Sequence, residues 1–170
     1  MATLPPESKI FSRNKKIRLL GLQPYEKIRE LYQNSHVFVF PTHYDTFGFV
    51  IPEAFSFGLP VIGVDSFSSP ELIEHEKTGL ILKSYFSCFG KDCGYAWPTI
   101  GATARARLRL AKNPPEWYIN NLAEAMERMI NDGALRSRLS ANAYGVASEG
   151  KFSAQCYKNK MCRIYREALE

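Results

Sequence analysis

The sequence predicts an α/β fold: a parallel sheet flanked by helices, followed by a purely helical segment. Three observations carry this expectation. Short apolar runs alternate with stretches of helical period in the first half of the chain, glycine or proline punctuates these runs, and from residue 116 onward only helical periodicity remains. At 170 residues, 45% hydrophobic and 13% aromatic, the chain can bury one sizeable core and reads as a single domain.

The elements follow in order. Residues 1–16 form an N-terminal extension. Ile17-Arg18-Leu19-Leu20 predicts a strand ending at Gly21, and Tyr25 to Gln33 a helix with Ile28, Leu31 and Tyr32 on one face. His36-Val37-Phe38-Val39-Phe40 is a continuous apolar run stopped by Pro41, the pattern of a strand buried on both faces, with His36 a structural residue at its start. A helix from Val50 to Phe57 follows, with Pro52 in its first turn and Gly58 and Pro60 closing it. Val61–Val64 is a buried strand, Pro70–Ile73 a short helix and Gly79–Leu82 a further strand.

Residues 84–115 carry clustered aromatics, glycines and prolines without helical period, and read as an inserted loop or hairpin. Residues 116–170 form three helices. The first places Ile119, Leu122, Ala123, Met126, Met129 and Ile130 in one apolar stripe and breaks at Asp132-Gly133. The second uses Leu135, Leu139, Ala143 and Val146, and the third Tyr157, Met161, Ile164, Tyr165, Ala168 and Leu169. All three stripes are expected to be core.

Charge and cysteine usage narrow the function classes. A net charge of +5 suits anionic small molecules or an acidic lipid surface, and nucleic acid is not expected as a partner. No apolar run approaches the ~20 residues of a membrane span, and Met1–Pro6 lacks the layout of a signal peptide. Cys88 and Cys93, and Cys156 and Cys162, are spaced unlike a zinc knuckle. On a helix the second pair is turned through about 600°, so its thiols point apart. Free thiols in a reducing, cytoplasmic compartment are the expectation, with no structural metal.

In a parallel sheet, ligands sit beyond the carboxyl ends of the strands. The turn after Phe40 is the richest: Pro41-Thr42-His43-Tyr44-Asp45-Thr46-Phe47-Gly48-Phe49-Val50-Ile51-Pro52-Glu53. Gly48 lets backbone approach a ligand, and the N–H groups of Phe49, Val50 and Ile51 open a helix and form an anion site. Asp45 and Glu53 flank it. Acids beside an anion site fit a mixed ligand, with a diphosphate at the amides and vicinal sugar hydroxyls at the carboxylates. The plainer alternative is that Glu53 complements a helix dipole and Asp45 decorates a loop.

These residues, with Ala54-Phe55-Ser56-Phe57-Gly58-Leu59-Pro60-Val61-Ile62 behind them, resemble the acid-x7-Glu signature of family 4 retaining glycosyltransferases. Leu20-Gly21-Leu22 upstream, and Ser69-Pro70-Glu71-Leu72-Ile73 and Thr78-Gly79-Leu80-Ile81 downstream, stand in the family's order. The resemblance covers residues 17–83 closely and 116–169 loosely. It implies the Rossmann-like, donor-binding C-terminal half of a GT-B enzyme, whose acceptor-binding N-terminal domain lies outside this chain. Glu53 would hold ribose hydroxyls and Asp45 the donor sugar. The amides around Gly48 and Phe49, after Thr46 and Phe47, would reach the sugar, those of Val50 and Ile51 the diphosphate, and Gly21-Leu22 the base. The donor is a nucleoside diphosphate sugar and no metal cofactor is needed. Two departures stand out: the first acid is usually Glu, and the basic clamp of the diphosphate has no matching motif among Lys9 and Arg13–Lys16. The resemblance therefore implies weak donor binding and no turnover by this chain alone.

Two rival readings stay open, a GT-B sugar-nucleotide epimerase and a non-catalytic sugar-nucleotide-binding module. His43 either touches the donor or acceptor or faces solvent, and Glu71 reads as a helix N-terminal acid rather than a ligand contact. In the insertion, Arg105, Arg107 and Arg109 alternate on one strand face near Tyr95 and Trp97. That face either meets anionic lipid at the inner surface of the membrane or is a charge-protected hairpin edge. The wide stripe of the last helix is expected to fold back over its own domain or to pair with a second copy as a dimer.

Overall fold

The computed structural model describes residues 14–43, 45–85 and 113–169. They divide into two units at the Asn34–Ser35 bond, and each is considered by itself. In the first, the Ile17 N–H donates to Asn14 O at 2.9 Å, and helix α1 spans Tyr25–Gln33 with Ile28, Leu31 and Tyr32 half-buried. The strand expected at Ile17–Leu20 is not formed. Its end groups are used locally: the Ile17 N–H closes a turn, and the Gln23 side-chain amide takes the carbonyls of Leu20 and Leu22.

The second unit holds a parallel sheet of β1 (Phe38–Val39), β2 (Val61–Val64) and β3 (Gly79–Leu82), in that spatial order. Helices α2 (Val50–Ser56) and α3 (Ser69–Leu72) lie between the strands in sequence, and α4 (Glu116–Asn131), α5 (Gly133–Ser148) and α6 (Ala154–Glu167) follow. This is the α/β class expected. β2 is central and wholly buried, as its Val-Ile-Gly-Val run requires.

β1 differs from expectation. It is the edge strand of the described sheet and only half-buried, with a single neighbour. Its ladder extends from the Phe38 N–H on Pro60 O (3.0 Å) to the Phe40 N–H on Ile62 O (2.8 Å). His36 is exposed ahead of it rather than inside a buried strand, because pairing starts at Phe38.

The core joins Ile62, Leu80 and Leu82 of the sheet to Ala125 and Met129 of α4 and Leu135 and Leu139 of α5. Each of the Ile, Leu and Met side chains, fully buried, contributes roughly 1.5–3 kcal/mol relative to exposure. Asp132 caps α5 by accepting the Leu135 N–H at 2.8 Å, and Arg136 donates back to the Met129 and Ile130 carbonyls, so the α4–α5 corner is closed by polar contacts. Gly58, at φ +70°, ends α2, and Ser140 of α5 donates to its carbonyl at 2.6 Å. The loop before β3 is fastened likewise: Arg138 donates to Glu76 O, Asn142 to Lys77 O, and Arg128 lies 2.6 Å from the Glu76 carboxylate.

Two helical stripes are not where the sequence places them. On α4 the buried line is Tyr118, Ala125 and Met129 with Leu122 half-buried, so Ile119, Ala123, Met126 and Ile130 form an adjacent exposed stripe. The apolar arc of α4 is wider than the sheet can cover, and it docks on one side of that arc. α6 buries nothing: Met161 is half-buried, but Tyr157, Ile164, Tyr165 and Leu169 are exposed, Tyr157 at 66%. The helix therefore does not fold back over this unit. The expectation for α5 holds, with Leu135, Leu139 and Ala143 buried and Val146 half-buried. Cys156 and Cys162 are free and exposed. The expectations for Lys9, Arg13, Cys88, Cys93, Tyr95, Trp97, Arg105, Arg107 and Arg109 fall outside the described residues.

Gly79 gives a direct test of the sheet. A Cβ there would sit 2.1 Å from the Val61 carbonyl oxygen and 3.0 Å from Ile73 Cγ2. Neither the strand backbone nor the buried Ile73 can give way cheaply. Gly79→Ala should destabilise the protein by about 2–3 kcal/mol, at the upper end of overpacking costs, in chemical denaturation. Gly133→Ala, where a Cβ would meet only the end of Arg136 at 3.8 Å, serves as the control that should not destabilise.

Candidate functional site

The three parallel strands end together, and the loops beyond their carboxyl ends are joined by side chains. The loop after β2 supplies Ser66, whose hydroxyl donates to His43 O at 2.9 Å, and Ser68, whose hydroxyl donates to Phe47 O at 2.6 Å. The segment after β3 supplies Ser84, whose Oγ is 3.0 Å from His43 Nδ1. All three meet on the turn between β1 and α2, where the sequence concentrates its candidate residues.

That turn is built by its own backbone. The Asp45 carboxylate folds back on it, Oδ1 accepting the Phe47 N–H at 3.2 Å and the Gly48 N–H at 2.8 Å. Gly48 has φ +76° and is buried, and a Cβ there would meet Ile51 Cδ1 at 3.2 Å. The local conformation itself demands glycine. Pro52 occupies the first turn of α2, where its missing N–H leaves no bond unmade.

The amides divide differently from the sequence expectation. The Gly48 N–H is taken by Asp45, and the Ile51 N–H is taken by Gly48 O at 2.9 Å. Among the described residues, the N–H groups of Phe49 and Val50 remain without a partner at the start of α2. Geometry explains the change: a left-handed Gly48 turns its carbonyl toward the helix start and closes a tight turn on Ile51.

The other candidates lie as follows. Glu53 is exposed on the first turn of α2, and its backbone N–H donates to Phe49 O. Asp45 is half-buried and Thr46 exposed. Phe47 and Phe49 are both exposed, with ring centroids 4.6 Å apart. Glu71 is exposed in the first turn of α3, as a helix N-terminal acid would be. Gly21, at φ +63°, and Leu22, exposed, belong to the first unit. Among the described residues, no three His, Cys, Asp or Glu side chains cluster as a metal site would require. No described helix is long and apolar enough to cross a membrane.

His43 is half-buried rather than solvent-facing. Its ring meets Tyr85 edge-on at 4.4 Å and Tyr118 at 5.1 Å, and Tyr85 and Tyr118 pack at 4.7 Å. Burial lowers the His43 pKa from its ordinary value. Tyr118, almost fully buried at the start of α4, is pushed up to about 12, first by burial and then by Tyr85. Ser66, Ser68, Ser84 and Tyr118 are the site residues that sequence reasoning missed. Only their places near strand ends and helix starts could have pointed to them, since their partners lie up to 77 positions away.

The lowered His43 pKa sets a pH dependence. Acidification protonates the unfolded chain first, near pH 6.5, while the folded histidine stays neutral. Stability is then full above the unfolded pKa and falls as pH drops toward the folded one. Thermal melts from pH 7.5 to 5 should show a smaller acid-induced loss for His43→Gln than for the unmodified protein; identical losses would mean that His43 is not held neutral.

The model for glycosyl transferases group 1 matches residues 7–87. Alpha-D-kanosaminyltransferase of Streptomyces kanamyceticus is 22% identical over 152 residues, covering 89% of this chain and 31% of the relative. The capsular polysaccharide biosynthesis glycosyltransferase CapM of Staphylococcus aureus is 27% identical over 139 residues, covering 82% and 28%. Among solved structures, sucrose-phosphate synthase of Thermosynechococcus elongatus superposes with TM-score 0.66 at 20% identity, over 96% of this chain and 33% of that one. HepE of Anabaena in complex with UDP-glucose gives 0.63 at 17%, over 95% and 35%. The chain thus shares the fold of glycosyltransferases of the GT-B type and spans about a third of their length.

Proposed function

We propose that this chain, residues 7–87 of which match the model for glycosyl transferases group 1, is the nucleotide-sugar-binding part of a retaining glycosyltransferase. The observation that carries the reading is the turn from β1 into α2. Two carboxylates and the outward amides of Phe49 and Val50 share it, at the carboxyl edge of a parallel sheet. The likeness to a protein in complex with UDP-glucose agrees with it.

Each group then has a chemical task. Glu53 accepts hydrogen bonds from the two vicinal ribose hydroxyls, a task its exposure on the first helical turn permits. The Phe49 and Val50 N–H groups, with the positive end of the short helix α2, face the diphosphate side. Asp45 flanks the donor sugar, with its Oδ1 engaged by the loop's own N–H groups. His43, Thr46 and the Phe47–Phe49 rings wall the sugar. During transfer the bond from anomeric carbon to diphosphate oxygen breaks, the leaving group keeps the electron pair, the acceptor oxygen bonds the carbon, and the acceptor's hydroxyl proton passes to the departing diphosphate. Amides and dipoles stabilise that leaving charge without a metal. The acceptor comes from a further domain of the whole protein, so the chain alone binds donor weakly and does not turn over. We place the protein in the cytoplasm, at the inner membrane face where the acceptor is lipid-linked.

Glu53→Gln should weaken UDP-glucose and UDP alike by roughly 1.5–3 kcal/mol, the cost of a lost charged hydrogen bond. Titration calorimetry on the full chain reads this directly. Unchanged affinity for both ligands would remove Glu53 from the ribose.

A further inference from the structure

We propose that Asp45 is a positioning residue of the donor loop, whose carboxylate sets the peptide planes between Phe47 and Val50 by accepting two successive backbone N–H groups. The inference rests on the donor-binding reading of that loop and concerns how the loop is held in shape.

Both backbone polar groups of Phe47 are held. Asp45 Oδ1 takes its N–H at 3.2 Å, and Ser68 Oγ holds its carbonyl at 2.6 Å. The next N–H, that of Gly48, goes to the same Oδ1 at 2.8 Å, and Gly48 O then takes the Ile51 N–H. Phe47 and Gly48 are thereby oriented so that the next two amides, those of Phe49 and Val50, stay outside the internal network. Ser66 fastens the start of the loop at His43 O. Asp45 is the only carboxylate in this arrangement among the described residues.

Residue length decides what can fill this role. A side-chain oxygen that bonds to N–H groups two and three positions onward is a property of short acceptors: Asp, Asn, Ser and Thr. Glutamate carries its carboxylate one methylene further out and cannot close the same ring without moving the loop. Contact with sugar hydroxyls has the opposite requirement, since it needs an acid and tolerates the longer one. The short Asp side chain matches this engagement with the backbone. The two roles therefore rank the same substitutions in opposite orders.

The test uses the full chain, unsubstituted and as Asp45→Asn, Asp45→Glu and Asp45→Ala. Amide hydrogen exchange is followed at Phe47 and Gly48, with Ile62 in β2 as the reporter of global stability. A positioning role predicts that Asp45→Asn keeps Gly48 protection within about threefold, while Asp45→Glu and Asp45→Ala speed its exchange about tenfold or more, with Ile62 unchanged. Titration with UDP-glucose should follow the same order, Asn retaining more affinity than Glu. Equal Gly48 exchange in all four proteins, or Glu matching the unsubstituted chain while Asn loses most affinity, would overturn the proposal. Absence of UDP-glucose binding by the unsubstituted chain would count against the donor reading, while the exchange order would still decide what Asp45 does to the loop.

Discussion

The approach of β3 to β2 is the constraint on which the rest of the structure depends. Gly79 stands opposite Val61, and the space its missing side chain leaves is occupied by the Val61 carbonyl. Only with that contact closed do Leu80, Ile81 and Leu82 fall opposite Ile62, Gly63 and Val64. Gly63 repeats the device one layer on, where a Cβ would meet Ile73 Cδ1 at 2.4 Å. This register brings the loops after the strands to one edge. Looser pairing would leave Ser66, Ser68 and Ser84 unable to reach the turn after β1.

The site is consequently a backbone construction held by small side chains. Hydroxyls from two loops and one carboxylate fix a turn of about six residues, while the exposed groups, Glu53, Phe47 and Phe49, face outward. The aromatic packing of His43, Tyr85 and Tyr118 ties the start of α4 to the same turn. The helical segment thus supports the site as well as the core.

The amphipathic faces are unevenly used. α5 puts its narrow stripe against the sheet and α2, whereas α4 shows a second apolar line and α6 shows its whole apolar face. An apolar stripe records that a surface is suited to burial and carries no information about what covers it. In a chain that spans about a third of its relatives' length, such faces bear on the whole protein rather than on this part of it.

Much was legible from local pattern. The runs Val61–Val64 and Gly79–Leu82, the boundaries of α2, α3, α4 and α5, and the turn with Asp45, Gly48 and Glu53 all rest on signals within a few residues: β-branched runs, a Pro in a first turn, Gly at a helix end. Pattern failed where a neighbour decides. Ile17–Leu20 has a strand's composition, yet its end groups bond within their own loop, and His36–Phe40 pairs over only part of its length because one side has no described strand. The sequence by itself determined the order of elements and the place of the chemistry, because hydrophobic period and turn residues act over short range. Only the tertiary structure decided which amides stay outward, that Asp45 bends back onto its own loop, and that Ser66, Ser68 and Tyr118 belong to the site. Hydrogen bonds between residues 21 and 77 positions apart depend on strand register, which no local spacing encodes.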